Sequence, residues 1–249
     1  MSDAKSTVPF GFKDVGPEEK PALVKDIFSS VAHRYDLMND LMSFRVHRLW
    51  KDEFVAWLNP QPGMSVLDVA GGTGDIAARI DHRVRAKGGE AMITVCDASL
   101  PMIEQGLTRG DGENLLWLCG DAERLPVASS SHDAYTIAFG IRNATHLDRV
   151  LAEAYRVLKP GGRFLCLEFS KVDVPGLDRL YDLYSFSVLP RLGEIVAGDG
   201  AAYRYLAESI RRFPGKRIFA AAIAREGFGQ VKYRNLSGGI AAMHSGWKL

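Results

Sequence analysis

The chain has 249 residues, 47% of them hydrophobic and 24% charged, which suffices for one sizeable core and is ordinary for a globular protein facing water. A formal net charge of +1 gives nucleic acid no electrostatic hold, and no apolar run approaches the roughly 20 residues that span a bilayer. The polar start, Met1 to Thr7, lacks the apolar stretch of a secretory leader, so a cytoplasmic protein is expected, with any membrane contact peripheral. Cys96, Cys119 and Cys166 fall in strand-like segments without metal-ligand spacing and read as buried, reduced thiols; no metal is expected.

Taken in order, residues 1–16 are polar and glycine-containing and read as a flexible arm. Residues 17–60 read as N-terminal helices. Val24, Ile27, Phe28, Val31 and Tyr35 share one face of the first. Ser43 caps the second, with Val46, Leu49, Trp50, Phe54, Trp57 and Leu58 turned inward, and Pro60, Pro62 and Gly63 end it. Tyr35, Asp36, Asn39, His47 and Trp50 gather polar and aromatic groups just ahead of the next motif. Spacing alone leaves two readings open for them, a pair of core helices or one wall of a ligand site.

That motif is VLDVAGGTGD, Val66 to Asp75. It reads as a buried strand, a glycine-rich turn, and a helix that opens near Asp75 with Ile76, Ala77, Ile80 and Val84 inward. Gly71, Gly72 and Gly74 let backbone approach a ligand closely, and the helix start offers unpaired N–H groups. The same glycines satisfy the dinucleotide fingerprint as Gly72-x-Gly74-x-x-Ala77, so the loop alone does not choose a ligand. Further strands follow at Met92 to Cys96, Leu115 to Cys119, Tyr135 to Phe139 and Phe164 to Phe169. Between the last two, Leu147, Val150, Leu151, Ala154, Val157 and Leu158 form an amphipathic helix that stops at Lys159-Pro160-Gly161-Gly162. Strand and helix alternate as a parallel sheet with helices on both faces requires, and ligands of such sheets bind at the carboxyl ends of the strands. Loops 70–75, 97–99, 120–123 and 139–143 all lie there.

Residues 175–226 interrupt the strands with a helical insertion or lid. In it Leu180, Leu183, Tyr184, Phe186, Val188 and Leu189 suit either a greasy channel or ordinary packing, with Arg179, Arg191, Arg204, Arg211 and Arg212 on a basic edge. Strands at 229–236 and 239–247, joined by Ser237-Gly238-Gly239, should pair antiparallel. The fold class is therefore α/β: a mostly parallel, Rossmann-like sheet with a C-terminal antiparallel hairpin, a helical N-terminal extension and a helical insertion, in a single domain over 1–249.

Acids at successive strand ends call for a reason. Asp97 follows the glycines at roughly the spacing from which an acid reaches a ribose hydroxyl. Asp121, beside small Ala122, suits an adenine lying on backbone, and Asp68 sits within the loop's own strand. Three carboxylates serve two phosphates poorly and a sulfonium cation well.

At these residues the sequence resembles the class I S-adenosylmethionine-dependent methyltransferases. Two longer stretches are similar to signatures of the ubiquinone/menaquinone biosynthesis C-methyltransferases: Tyr35-Asp36-x-Met38-Asn39-x-x-Met42-Ser43-x-x-x-His47-x-x-Trp50, and Arg156-Val157-Leu158-Lys159-Pro160-Gly161-Gly162 running on to Glu168-x-Ser170. Tyr203-Arg204-Tyr205-Leu206-x-Glu208-Ser209-Ile210 also matches, and the likeness runs from about Phe10 to Leu249. The resemblance implies that Thr73, Asp97, Asp121 and Ala122, with Gly71 and Gly72, hold S-adenosylmethionine. It implies C-methylation of a polyprenylated hydroquinone. That reaction needs phenolate-like charge stabilised, and Arg142 and Asn143, just beyond the fourth strand, suit the ring oxygens, the alternative being a loop salt bridge or cap; Tyr35, Asn39 and His47 would close the other side. Relatives carry serine where this chain has Ala138, and an acid where it has His146, which argues against His146 as a base. A homodimer and membership of a quinone-synthesis complex stay open. The rival readings are an NAD-dependent oxidoreductase and a non-catalytic member of such a complex.

Overall fold

The sheet grows outward from the strand that precedes the glycine loop. The computed structural model describes residues 7–31, 43, 45–109, 114–172, 187, 194 and 200–249. At the centre, β3 (Ser65–Val69) pairs in parallel with β4 (Met92–Asp97) on one side and β6 (His132–Ala138) on the other. With β5 (Leu115–Cys119), β7 (Leu158–Phe169), β8 (Gly229–Leu236) and β9 (Ala241–Trp247), the seven-stranded order is β5-β4-β3-β6-β7-β9-β8. Only β9 runs against its neighbours, pairing antiparallel with both β7 and β8. The chain leaves β3 toward β4 and later returns to β6 on the far side, so a crevice opens at the carboxyl end of β3.

Burial on both faces explains why the strands read as apolar runs rather than alternating ones. Val66, Leu67 and Val69 are all buried, as are Phe164 to Leu167. On one face α2 (His47–Leu58), α3 (Asp75–Arg85) and α6 (Gly200–Arg212) bring Phe54, Ile80 and Leu206 against Val66, Leu165 and Met243. On the other, α5 (Leu147–Val157) and α7 (Lys216–Arg225) set Leu151 and Phe219 against Leu67, Tyr135 and Phe164. The helix α4 (Leu100–Thr108) buries Met102 and Ile103 beside β4 and β5, and α1 (Lys20–Val31) lies at the ligand end of the sheet.

Several expectations shift. Residues 8–15, read as part of a loose arm, pair as a two-stranded ribbon, β1 (Val8–Phe10) with β2 (Lys13–Val15). It docks on α6, where the Phe12 N–H donates to Glu208 Oε2 (3.0 Å) and Arg212 meets Asp14 (3.1 Å). In α2 the buried stripe is His47, Trp50, Lys51, Phe54, Val55 and Leu58, while Leu49 is 66% exposed. Leu49 sits about 100° around the helix from Trp50, which leaves it outside that stripe. The helix starts at His47, and Ser43 Oγ still accepts its backbone N–H (3.1 Å). β7 begins at once after α5, and the Pro160–Gly162 turn is absorbed as a register shift between His132↔Leu158 and Ala134↔Arg163. Cys119 is exposed at the end of β5, whereas Cys96 and Cys166 are buried. Within 175–226, α6 and α7 are helical as expected. Leu180, Leu183, Tyr184, Phe186, Val188, Leu189, Arg179 and Arg191 lie outside the described residues, as do Tyr35, Asp36 and Asn39.

Candidate active site

The loop after β3 is built for close approach. Ala70, Gly72 and Gly74 have φ of 49°, 57° and 81°, so the chain reverses through left-handed backbone. A Cβ on Gly71 would lie 2.7 Å from Val95 Cγ1 and 2.9 Å from Asp68 Oδ2, so any side chain there displaces the strand beneath. Asp97, at the end of β4, fastens this loop to the next. Its Oδ2 accepts the Gly72 N–H and its Oδ1 the Ser99 N–H, both at 2.8 Å. Burial raises its carboxyl above the usual range, and those two bonds counter the shift. The Gly120 N–H in turn donates to the Asp97 carbonyl (3.0 Å), and Asp121 Oδ1 accepts from the Glu123 N–H (2.9 Å). Three of the four strand-end loops are thus tied to one another.

Two adjoining cavities open between them. The larger, about 370 Å³, is lined by Gly72, Asp97, Met102, Asp121, Ala122 and Asn143, with Pro21 and Val24 of α1 on the remaining side. The smaller, about 30 Å³, is lined by Lys51, Asp68, Gly71, Thr73, Asp75 and Ala138. Ala70, Gly72 and Phe139 border both. In the smaller one Asp68 Oδ1 accepts from Thr136 Oγ1 (2.7 Å), but the buried Oδ2 has no hydrogen-bond partner. Burial, helped by nearby Asp75 and Asp97 and opposed by the Thr136 bond, pushes the Asp68 carboxyl up to about 7. Asp75 behaves oppositely. Burial alone would raise it, yet Lys51 Nζ at 2.7 Å and Arg79 Nε at 2.9 Å hold it down at about 2.

The fourth loop is a 3₁₀ turn, Ile141–Asn143. Arg142 is buried beneath it: Nη1 donates to the Phe139 carbonyl and to Glu168 Oε1 (2.9 Å), while Nε is buried without a partner. Burial pushes the Glu168 carboxyl up and the Arg142 charge pulls it back. Asn143 faces the larger cavity, and its Oδ1 accepts from the Tyr205 hydroxyl of α6 (3.2 Å).

The anticipated cofactor residues therefore converge: Asp97, Asp121 and Ala122 on the larger cavity, Thr73 and Gly71 on the smaller, Gly72 on both. Thr73 Oγ1 accepts from Arg109 Nη1 (2.6 Å). Arg142 lies behind the wall that Asn143 presents, and His47 is buried in α2; neither lines either of these two cavities. Tyr35 and Asn39 fall outside the described residues. Sequence reasoning named neither Lys51 nor Lys20, whose buried Nζ donates to the Ala144 carbonyl (2.7 Å), and it quoted Glu168 and Tyr205 only as members of longer signatures, without a site role. Lys51 was findable, since it shares the inward stripe with Trp50, Phe54 and Leu58. Among the described residues no group of three or more side chains has the make-up of a metal site.

Known proteins bear on this arrangement in two ways. In sequence, the chain is 56% identical over 246 residues to the ubiquinone/menaquinone biosynthesis C-methyltransferase UbiE of Brucella abortus (strain S19), covering 96% of this chain and 90% of that protein. In structure, it resembles a SAM-dependent methyltransferase from Thermotoga maritima (TM-score 0.64, 20% identity, 90% of this chain and 99% of that one). It also resembles Haemonchus contortus phosphoethanolamine N-methyltransferase 2, solved with S-adenosyl-L-methionine (TM-score 0.56, 14% identity, 79% of this chain and 52% of that one). The model of the ubiE/COQ5 methyltransferase family matches residues 14–248, nearly the whole length, and the chain belongs to that family.

Proposed function

We propose that this chain methylates a ring carbon of a polyprenylated hydroquinone in ubiquinone and menaquinone biosynthesis. Its acceptors on this reading are 2-methoxy-6-polyprenyl-1,4-benzoquinol and demethylmenaquinol. S-adenosylmethionine is the methyl donor. The residues present fit that group: an apolar cavity of about 370 Å³ with acids at its rim adjoins a small one holding an unpaired carboxylate oxygen. The observation that carries the reading is this convergence of strand-end loops at the sheet's switch point, in a chain so close to the Brucella enzyme.

Bound there, the donor supplies an electrophilic methyl group on a sulfonium centre. The chain's part is to place and polarise. Asp97 and Asp121 accept hydrogen bonds from the nucleoside, Ala122 leaves room for its base, and Gly71, Gly72 and Thr73 line the path of its tail. A hydroquinone carbon is nucleophilic in proportion to the negative charge on its ring oxygens. Asn143, at the cavity wall, offers its amide to such an oxygen and so favours phenolate character, and the buried Arg142–Glu168 pair behind it fixes the turn that presents Asn143. Arginine is too basic to take the departing ring proton itself. Tyr35 and Asn39 complete the acceptor side in this reading, whereas His47, buried in α2, helps to hold that helix in place. Holding the carbon about 3–3.5 Å from the methyl group provides much of the rate. The acceptor's prenyl tail brings the reaction to a membrane surface, which suits peripheral attachment, since among the described residues no helix is long and apolar enough to cross one.

Incubation with labelled donor and each short-chain quinol tests the proposal. One labelled methyl group on the ring per turnover is the expected result. Donor binding without any labelled quinol would mark a non-catalytic member of a quinone-synthesis complex instead.

A further inference from the structure

Lys51 is 5% exposed, and a buried cation is costly unless it is well paired. Its partner is Asp75 Oδ2 at 2.7 Å, but Asp75 already receives Arg79 Nε on its other oxygen. Asp75 thus serves two cations, and the Lys51 ammonium, with three N–H donors, gives only one to it. Across the same small cavity stands Asp68, with Oδ2 buried and unpaired. The smaller end of the cleft therefore carries a cation with donors in hand and an acid with an acceptor in hand. That pair is complementary to a zwitterion, an ammonium and a carboxylate on one carbon. The wide end, bordered by the same Ala70, Gly72 and Phe139, has room for a nucleoside.

We propose that Lys51 binds the carboxylate of the donor's amino-acid tail, so that α2 selects for donors that carry it. The inference rests on the larger cavity being the donor site. It gives a chemical reason for a lysine on the inward stripe of a helix outside the sheet's own βα units. It also explains why the ion pair is loose in stoichiometry: Arg79 keeps Asp75 neutralised when Lys51 turns to the ligand.

Titration calorimetry with three probes decides it: S-adenosylmethionine, its decarboxylated form, and 5′-methylthioadenosine, which lacks the tail. The wild-type protein should prefer the carboxylate-bearing donor over the decarboxylated one by about 10- to 100-fold, the factor of one charge-assisted hydrogen bond. In Lys51→Met that preference should vanish through weaker binding of S-adenosylmethionine, with 5′-methylthioadenosine affinity held within about threefold. Equal loss for all three probes, or no loss for any, overturns the role of Lys51. Should Lys51→Met fail to fold, the wild-type comparison decides, since equal affinity for the two donors overturns the proposal. If none of the three binds wild-type protein, the donor-site reading itself fails.

Discussion

At the scale of single residues, the site is assembled from groups that are costly to bury. Asp68 is the clearest. Its Oδ2 is buried without a partner, and burial lifts its carboxyl from 3.8 to about 7. The folded state therefore holds a proton that the unfolded chain has released between about pH 4 and 7. Because the native state binds more protons there, the Asp68 contribution to stability falls as pH rises through that window. Asp68→Asn keeps an acceptor for Thr136 and removes the titration. Its stability relative to wild type, measured by urea denaturation, should be greater at pH 8 than at pH 5 by on the order of 2–3 kcal/mol. A pH-independent difference would mean that Asp68 ionises normally in the fold. Asp75 shows the opposite arrangement, held at about 2 by Lys51 and Arg79, so its share of stability persists until strongly acid conditions. One acid is thus paired within the fold, while the other keeps an unpaired oxygen at the smaller cavity.

At the scale of elements, what was legible depended on how far away the partner lay. The strands around the glycine loop and the helices α3 and α5 show in the sequence because their burial follows a fixed period. Ile76, Ala77, Ile80 and Val84 are buried as their spacing requires, and so are Val150, Leu151, Ala154 and Val157. The ribbon β1–β2 did not show, because its stabilising contacts come from Glu208 and Arg212, nearly 200 residues on. Arg142 was legible as an unusual residue in the right loop, but not as the partner of Glu168, since nothing local pairs a turn with the end of the next strand. The α6 helix links both surprises. Its Tyr205 stacks on Phe10 of the ribbon (4.5 Å) and donates to Asn143 Oδ1, which leaves the Asn143 NH₂ for the cavity. Burial pushes the Tyr205 hydroxyl up to about 12, so it stays a donor throughout the working pH range. Tyr205→Phe should lower turnover about 2- to 10-fold, the factor of one neutral hydrogen bond, with S-adenosylhomocysteine affinity within twofold. Equal losses in turnover and in donor affinity would place Tyr205 in general packing rather than in orienting Asn143.

For the whole molecule, topology does most of the positioning. A sheet ordered β5-β4-β3-β6-β7-β9-β8 brings the ends of β3, β4, β5 and β6 to one rim, and Asp97 cross-ties the first two loops while its carbonyl meets the third. The hairpin of β8 and β9, with reversed β9 set between β7 and edge strand β8, then completes the far side, where a dinucleotide fold would not usually end in a hairpin. The N-terminal extension contributes from outside that frame, with α1 over the larger cavity and Lys51 of α2 in the smaller one. On the proposed function, these loops jointly hold a sulfonium methyl donor. The most direct measurement is a crystal structure of the protein soaked with S-adenosylhomocysteine. The prediction is an adenosine between Asp97 and the Asp121–Ala122 pair, with the sulfur turned toward Asn143. A nucleoside lodged away from the β3–β6 crevice, or strand-end loops that stand apart around an empty rim, would contradict it.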